Sequence, residues 1–295
     1  MKVLITGASG FIGQHLLKAL RKNQELQLFA PSPEELDLRH PQAPAKTLAT
    51  QKWDAVIHLA GMSHVVECEN NRDQALAINV EGTKALLQLL LEQGHPCHFV
   101  LASTAQIYRA PAGEEITEGV VFDEERPLMP QNFYAQTKRM AEEAVFVASQ
   151  KGLRATVLRL FNHTHKTQAP SFFLPHIYSQ LLSGNPKIPV GNLDLERDIG
   201  SVRDLIRAFE LILKVADWNF EIFNVCTGYP KNLRRLVQLL RTRMQATAEF
   251  VDDPSRHRPG EALRLVGSHK KLSARTGWQP RVLNEEQLIE DFLCE

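Results

Sequence analysis

Tyr134 and Lys138 stand four positions apart in NFYAQTK, residues 132–138. On a helix that spacing places both side chains on one face. A phenol with an ammonium one turn away can work as a proton donor. Of the four tyrosines, Tyr134 alone is followed by lysine at i+4. The pair by itself does not separate a proton-transfer device from two solvated residues, so the answer depends on what else converges on this helix. The second stretch with chemical meaning is TGASGFIG, residues 6–13, with glycines at 7, 10 and 13. Gly7 permits a tight turn. Gly10 lets a pyrophosphate approach the backbone at the positive end of a helix, and Gly13 lets that helix pack close to a sheet. Both depend on context: the glycine pattern must follow a strand and open a helix.

That context is present. KVLIT (2–6) is a β-branched run, and FIGQHLLKALRK (11–22) carries Ile12, Leu16, Leu17 and Leu20 on one side of a helix. Further strands are expected at LQLFA (26–30), DAVIHLA (54–60), CHFVLAS (97–103) and RATVLRL (154–160). A long helix is expected from about 72 to 93, stopped by Gly94, and a helix carrying Tyr134 from after Pro130 to Gly152. Alternation of this kind gives an α/β fold: a Rossmann-type doubly wound parallel sheet with helices on both faces. After residues 162–170 the segments shorten and prolines and glycines become frequent. FEIFNVC (220–226) reads as a strand returning to the sheet. The expected division is a dinucleotide-binding domain over 1–163 and a smaller, discontinuous C-terminal α/β lobe over 164–295 that binds substrate.

The glycine loop in its strand–helix setting makes NAD or NADP the expected cofactor. An acidic residue ending the second strand would select NAD. Here FAPSPEELDLRH offers Ala30, Pro31 and Ser32 directly after the strand, which leaves both dinucleotides open and places Asp37 near the adenine.

Bulk properties exclude other classes. The chain has 295 residues, 43% of them apolar, enough for a substantial core. Lysine plus arginine equals aspartate plus glutamate at 34 each, so no net field recruits nucleic acid or an anionic membrane. Cys68, Cys97, Cys226 and Cys294 show no disulfide framework, which fits reduced thiols and a cytoplasmic location. HPCH (95–98) lacks the further ligands a tetrahedral metal site needs. No apolar run approaches the ~18 residues of a membrane span, and no secretory signal is read at the start.

With the glycine loop, the Tyr–Lys pair and HLAGMSHV (58–65), the chain resembles the extended short-chain dehydrogenase/reductase family. FNHT (161–164), GNLDLERD (191–198), NVCTG (224–228) and GSHKKLSARTGWQP (267–280) resemble its branch acting on GDP-sugars. The resemblance implies an NAD(P)H-dependent reduction of the 4-keto group of a GDP-4-keto-6-deoxy-hexose of the rhamnose type. Alternatives are another nucleotide-sugar epimerase or 4,6-dehydratase, or a dinucleotide-binding protein without catalysis. Tyr134 then protonates the developing alkoxide, Thr104 hydrogen-bonds the reacting oxygen, and Lys138 reaches the nicotinamide ribose while favouring tyrosinate.

The same resemblance implies a cofactor site at Gly7, Ser9, Gly10, Phe11, Ile12, Gly13, Ser32, Asp37, Leu38, Leu59, Ala60, Gly61, Ser103, Tyr134, Lys138 and Leu160. It implies a substrate site at Ser63, Thr104, Gln106, Asn162, Asn192, Arg197, Arg258 and Glu261. Arg197 and Arg258 would grip the diphosphate and Glu261 the nucleotide ribose. Gln106 stands where dehydratases of this branch carry a glutamate acid–base, and an amide cannot exchange that proton, which favours reduction. His165 and Lys166 replace the family's glycine–proline turn, and Arg109 replaces a glycine; both loops are expected to border the sugar. His163 and His165 read as loop residues rather than ligands, Arg203 and Arg264 as solvated surface. ALLQLLLEQ (85–93) is apolar on more than one side, which with the resemblance implies a homodimer through helices 72–93 and 132–151.

Overall fold

A computed structural model describes residues 1–49, 51–215, 217, 219–257 and 261–294. In chain order the first elements are β1 (Lys2–Thr6), α1 (Phe11–Leu20), β2 (Gln27–Phe29), α2 (Ala43–Leu48), β3 (Ala55–His58), α3 (Val65–Asn70) and α4 (Arg72–Leu76). A π-helical turn (Ala77–Glu81) leads into α5 (Gly82–Gln93) and β4 (His98–Thr104). Then come α6 (Glu115–Glu118), β5 (Val120–Phe122), α7 (Phe133–Gln150), β6 (Arg154–Leu160), β7 (Asn162–Thr164), α8 (Phe173–Leu182), β8 (Lys187–Val190) and β9 (Glu196–Ser201). The chain continues through α9 (Val202–Lys214), β10 (Phe220–Val225), β11 (Pro230–Asn232), α10 (Leu233–Arg243), β12 (Glu249–Asp252), β13 (Arg264–Gly267), α11 (Lys270–Thr276) and α12 (Glu285–Leu293).

Two compact units result. The first comprises Met1–Ala110, Glu125–Leu160 and Ile206–Asn224. Its six-stranded sheet has the order β10-β6-β4-β3-β1-β2, with β2, β1, β3, β4 and β6 parallel to their neighbours. The order reverses between β1 and β3, the point at which open α/β sheets bind ligands. The strands are nearly all apolar and buried, as a sheet covered on both faces requires. Helix α7 begins where expected because Asn132 caps it, its Oδ1 accepting from the Ala135 amide at 2.9 Å.

The long helix runs from 72 to 93 and stops at Gly94 as expected, with one addition: residues 77–81 form a π-helical turn within it, where the Asn79 side chain bonds both backbone groups of Met62, accepting from N at 2.8 Å and donating to O at 3.0 Å. One expectation about it is corrected. The leucines that argued for a partner subunit are covered by the chain itself. Leu86, Leu87, Leu89 and Leu90 are all buried, in one cluster with Leu48 of α2, Phe99 of β4 and Val145 of α7.

The second unit comprises Pro111–Glu124, Phe161–Leu205 and Val225–Glu295. This differs from one boundary at 163. Residues 111–124 join the second unit because β5 pairs in parallel with β13, and 206–224 join the first. Its five strands run β11-β9-β13-β5, with β7 also on β9. Asp198 of β9 is 1% exposed and accepts from Thr227 N, Thr227 Oγ1, Gly228 N and Gly267 N at 2.7–3.1 Å. Leu236, Leu240, Leu288 and Phe292 pack its core.

Candidate active site

The glycine loop lies at the sheet's switch point, and its three glycines are there for different reasons. Gly7 has φ +72°, and a Cβ on it would sit 2.5 Å from the Ala60 amide after β3. A Cβ on Gly13 would sit 2.3 Å from Gly7 O. Gly10 is different: a Cβ there meets only Gly7 O, at 3.3 Å, so its outer side is open. Gly10 is also the N-cap of α1, where no side chain caps the first turn. An uncapped helix end behind an open glycine suits a pyrophosphate. These residues fit a dinucleotide.

Around the loop, the Ser9 carbonyl accepts from Gln14, Phe11 stacks edge-on against His15, and Ile12 is half-buried. Leu59 N donates to Thr6 O. Ser32 N donates to the Glu35 carboxylate at 2.8 Å, closing the turn after β2. Asp37 is gripped by Arg39 at 2.7 Å, and that hydrogen-bonded guanidinium holds its carboxyl down to about 2. Leu38 is buried, and its Cβ would lie 2.8 Å from a Cβ on Gly82.

A buried hydrogen-bond chain, which no sequence signal announced, runs from this loop toward Tyr134. Thr6 Oγ1 bonds His58 Nδ1 at 2.6 Å, His58 Nε2 bonds Thr83 Oγ1 at 2.9 Å, Thr83 donates to Asn79 O, and Asn79 Nδ2 donates to Thr137 Oγ1. Burial pushes His58 down to about 3, so it is a neutral connector. Gly61 completes the link: a Cβ there would stand 2.9 Å from Asn79 Oδ1 and 3.3 Å from Lys138 Nζ.

Tyr134 and Lys138 share the inner face of α7, and both are buried, at 8% and 6% exposure. They are not solvated residues. The Tyr134 phenol neighbours Thr104, the last residue of β4, whose hydroxyl works to lower its pKa and whose Oγ1 accepts from Gln106 N at 3.2 Å. Lys138 Nζ donates to Ala102 O at 2.9 Å. Burial pushes Tyr134 up to about 12, against the opposing bond from Thr104. Burial likewise brings Lys138 down to about 8, with Cys68 and Glu142 opposing. The phenol is therefore a neutral donor at physiological pH.

The Ser103 hydroxyl donates to Glu142 at 2.5 Å, and the residue is 3% exposed. Leu160 ends β6 opposite Thr104. Gln106 is exposed and its Oε1 accepts from Asn132 Nδ2 at 3.0 Å. Ser63 is exposed.

Four expected substrate residues belong to the second unit. Arg197 pairs with Glu261 at 3.4 Å and donates to the carbonyls of Glu196 and Ala262, each at 2.9 Å. Asn162 Nδ2 donates to Asp198 O at 3.5 Å, and Asn192 closes a turn by accepting from Asp194 N. Arg258 lies outside the described residues. His165 and Lys166 both bond the end of the chain. His165 Nε2 bonds Cys294 O at 3.1 Å, and Lys166 Nζ donates to Leu293 O at 3.0 Å, so they close the C-terminal end of α12. His163 is buried with Nδ1 on Phe161 O, while Arg203 and Arg264 sit at the surface, paired with Asp291 and Glu196. Among the described residues no cluster of side chains could hold a metal, and no helix is long and apolar enough to cross a membrane.

A doubly wound parallel sheet, a glycine loop at its switch point and a buried Thr–Tyr–Lys set define a dinucleotide-dependent oxidoreductase of the short-chain dehydrogenase/reductase class. Within that class, the model of the NAD dependent epimerase/dehydratase family matches residues 3–226, and the chain belongs to this family, the extended branch of the class. It is 33% identical to the GDP-6-deoxy-D-mannose reductase of Pseudomonas aeruginosa, over 97% of this chain and 94% of that one. It is 30% identical to the GDP-6-deoxy-D-talose 4-dehydrogenase of Aggregatibacter actinomycetemcomitans, over 99% and 97%. The solved structure of RMD from Pseudomonas aeruginosa complexed with NADPH superposes with a TM-score of 0.87 at 30% identity, covering 99% of this chain and 98% of that one.

Proposed function

We propose that the protein reduces the 4-keto group of a GDP-4-keto-6-deoxy-hexose, giving a GDP-6-deoxy-mannose (rhamnose) type sugar. The observation that carries this reading is the buried Thr104–Tyr134 pair, with the phenol held protonated beside Lys138. The relatives named for GDP-6-deoxy-D-mannose and GDP-6-deoxy-D-talose, and the NADPH-bound neighbour, supply the substrate class and the cofactor, NADPH or NADH.

A reduced nicotinamide dinucleotide, when bound, supplies the hydride. The chain's own residues do the rest. The glycine loop and the first turn of α1 hold the diphosphate. Thr104 and Tyr134 orient the carbonyl oxygen through hydrogen bonds, and Tyr134 gives up its phenolic proton as that oxygen gains charge. Lys138, fixed by Ala102 O, stabilises the tyrosinate left behind. Gln106 cannot shuttle the C5 proton that elimination of water requires. Arg197, Glu261, Asn162 and Asn192 of the second unit, together with Arg258, are assigned to the nucleotide diphosphate and sugar. That unit is thereby the substrate-binding lobe.

The protein works as a cytoplasmic homodimer through α7. Support for this comes from α7, where Met140, Phe146 and Val147 leave 39%, 49% and 53% of their surface exposed, an apolar strip that a partner would cover. Light scattering at micromolar concentration checks it, and a monomer mass contradicts it. The activity is tested with GDP-4-keto-6-deoxy-mannose and NADPH or NADH: loss of reduced-nicotinamide absorbance supports the reading, and its absence with both cofactors refutes it.

A further inference from the structure

One buried charge pair in the first unit is unused by the chemistry above. Glu142 of α7 and Arg159 of β6 meet at 2.9 Å with side chains only 7% and 4% exposed. Arg159 directly faces Ser103 across the parallel β4–β6 ladder. Its guanidinium donates to the Tyr108 hydroxyl at 3.2 Å and lies 5.0 Å from that ring, and the hydroxyl passes its proton to Asn224 Oδ1 at 2.6 Å. Glu142 is therefore tied at once to two strand ends.

The pair also extends a regular pattern. Tyr134, Lys138 and Glu142 occupy three successive turns of α7. Three consecutive residues at the end of β4 meet them: Ala102 O accepts from Lys138, Ser103 Oγ donates to Glu142 at 2.5 Å, and Thr104 neighbours the Tyr134 phenol. The Lys138 contact is a single hydrogen bond, which tolerates a sliding or rotation of the helix. The Glu142 contact is an anchor with a charge on each side.

A buried ion pair is weak evidence for stability, since a well-packed apolar pair of similar volume is often as stable or more so. Its retention calls for another reason. We propose that Glu142, held by Arg159, is a positioning residue that sets the register of α7 against β4, so that the Tyr134 phenol and the Lys138 ammonium meet the Thr104 end of the strand. A misplacement of about 1 Å at a reacting group is enough to lower turnover ~100-fold. This inference rests on the reductase reading for its kinetic arm but not for its spectroscopic arm.

The whole chain is tested as wild type, Glu142→Gln and the double variant Glu142→Leu/Arg159→Met. The double variant is expected to keep its fold and melting temperature within ~5 °C, while kcat for the keto sugar falls at least ~30-fold and NADPH affinity changes less than ~3-fold. A folded double variant with kcat within threefold of wild type overturns the proposal, because a purely structural pair would be replaced without loss.

If the double variant does not fold, Glu142→Gln decides. Its kcat is expected to fall about tenfold with KM unchanged, and unchanged kcat counts against the anchor. The arm that needs no substrate follows the Lys138 Cε resonance in protein labelled with [13Cε]lysine, assigned through Lys138→Arg. The charged or titratable groups that act on this ammonium are Cys68 of α3, His58 of β3 and, on its own helix, Glu142. Loss of the Glu142 charge lowers its titration midpoint in Glu142→Gln whether or not the helix moves, so the anchor is read from the Tyr134 ring resonances in 13C-tyrosine-labelled protein, assigned through Tyr134→Phe and two turns away from the changed charge. Failure of wild type to turn over the keto sugar would refute the functional reading alone, and the tyrosine resonances then decide the anchor: their displacement in Glu142→Gln upholds it, unmoved resonances overturn it.

Discussion

Reduction of a carbonyl at neutral pH needs a donor that still holds its proton, and Tyr134 is kept in that form by burial rather than released from it by Lys138. The sequence showed the Tyr–Lys spacing but not this balance, because desolvation depends on side chains distant in the chain, such as Met62, Cys68 and Ala75 packed against the phenol. Tyr134→Phe should lower kcat by at least ~1000-fold and leave NADPH affinity within a few fold, since the proton donor alone is removed. Turnover within tenfold of wild type would reassign the donor. Lys138 carries a pH signature of known sign. Its pKa is lower folded (about 8) than unfolded (10.5). Between those values the unfolded chain binds more protons, so its contribution to stability rises with pH. The destabilisation is fully present below pH 8 and relieved toward 10.5. The melting temperature of Lys138→Met relative to wild type should therefore decline as pH is raised from 7 to 10. A flat difference would mean that Lys138 titrates normally.

Among the elements, the glycine spacing was fully legible because each glycine answers a backbone constraint rather than a side-chain contact. The structure separates their roles. Gly13→Ala should destabilise the fold by several kcal/mol, as its Cβ would overlap Gly7 O and Ala8, and small-to-large changes in tight packing typically cost about 1–3 kcal/mol or more. Gly10→Ala should melt near wild type yet bind NADPH at least ~10-fold more weakly, because its Cβ enters only the open side where the pyrophosphate approaches. Calorimetry with fluorescence titration distinguishes the two, and equal effects on stability would contradict this division. The π-helical turn at 77–81 inside the long helix was not legible: Asn79 bonds Met62 across 17 residues, and a periodicity has no means of registering such a bond. The leucines of α5 misled for the related reason that apolarity on two sides does not say which side the chain itself covers.

For the whole molecule, the parallel sheet followed from the alternation of strand-like and helical runs, whereas the make-up of the second unit did not. Its sheet gathers β5, β7, β9, β11 and β13 from segments that lie as far as 140 residues apart, each three to six residues long, too short for pattern to reveal their pairing. The bonds of His165 and Lys166 to the end of α12, more than 120 residues on, were likewise beyond any local pattern. What the molecule does with its two units turns on reduction versus elimination, and Gln106 is the residue on which they divide. The direct measurement is product analysis of the purified protein in parallel reactions, one with GDP-4-keto-6-deoxy-mannose and NADPH or NADH, the other with GDP-mannose and oxidised cofactor alone. The account predicts a reduced 6-deoxy sugar in the first and unchanged GDP-mannose in the second. A 4-keto-6-deoxy product in the second, or no reduction in the first, would contradict it.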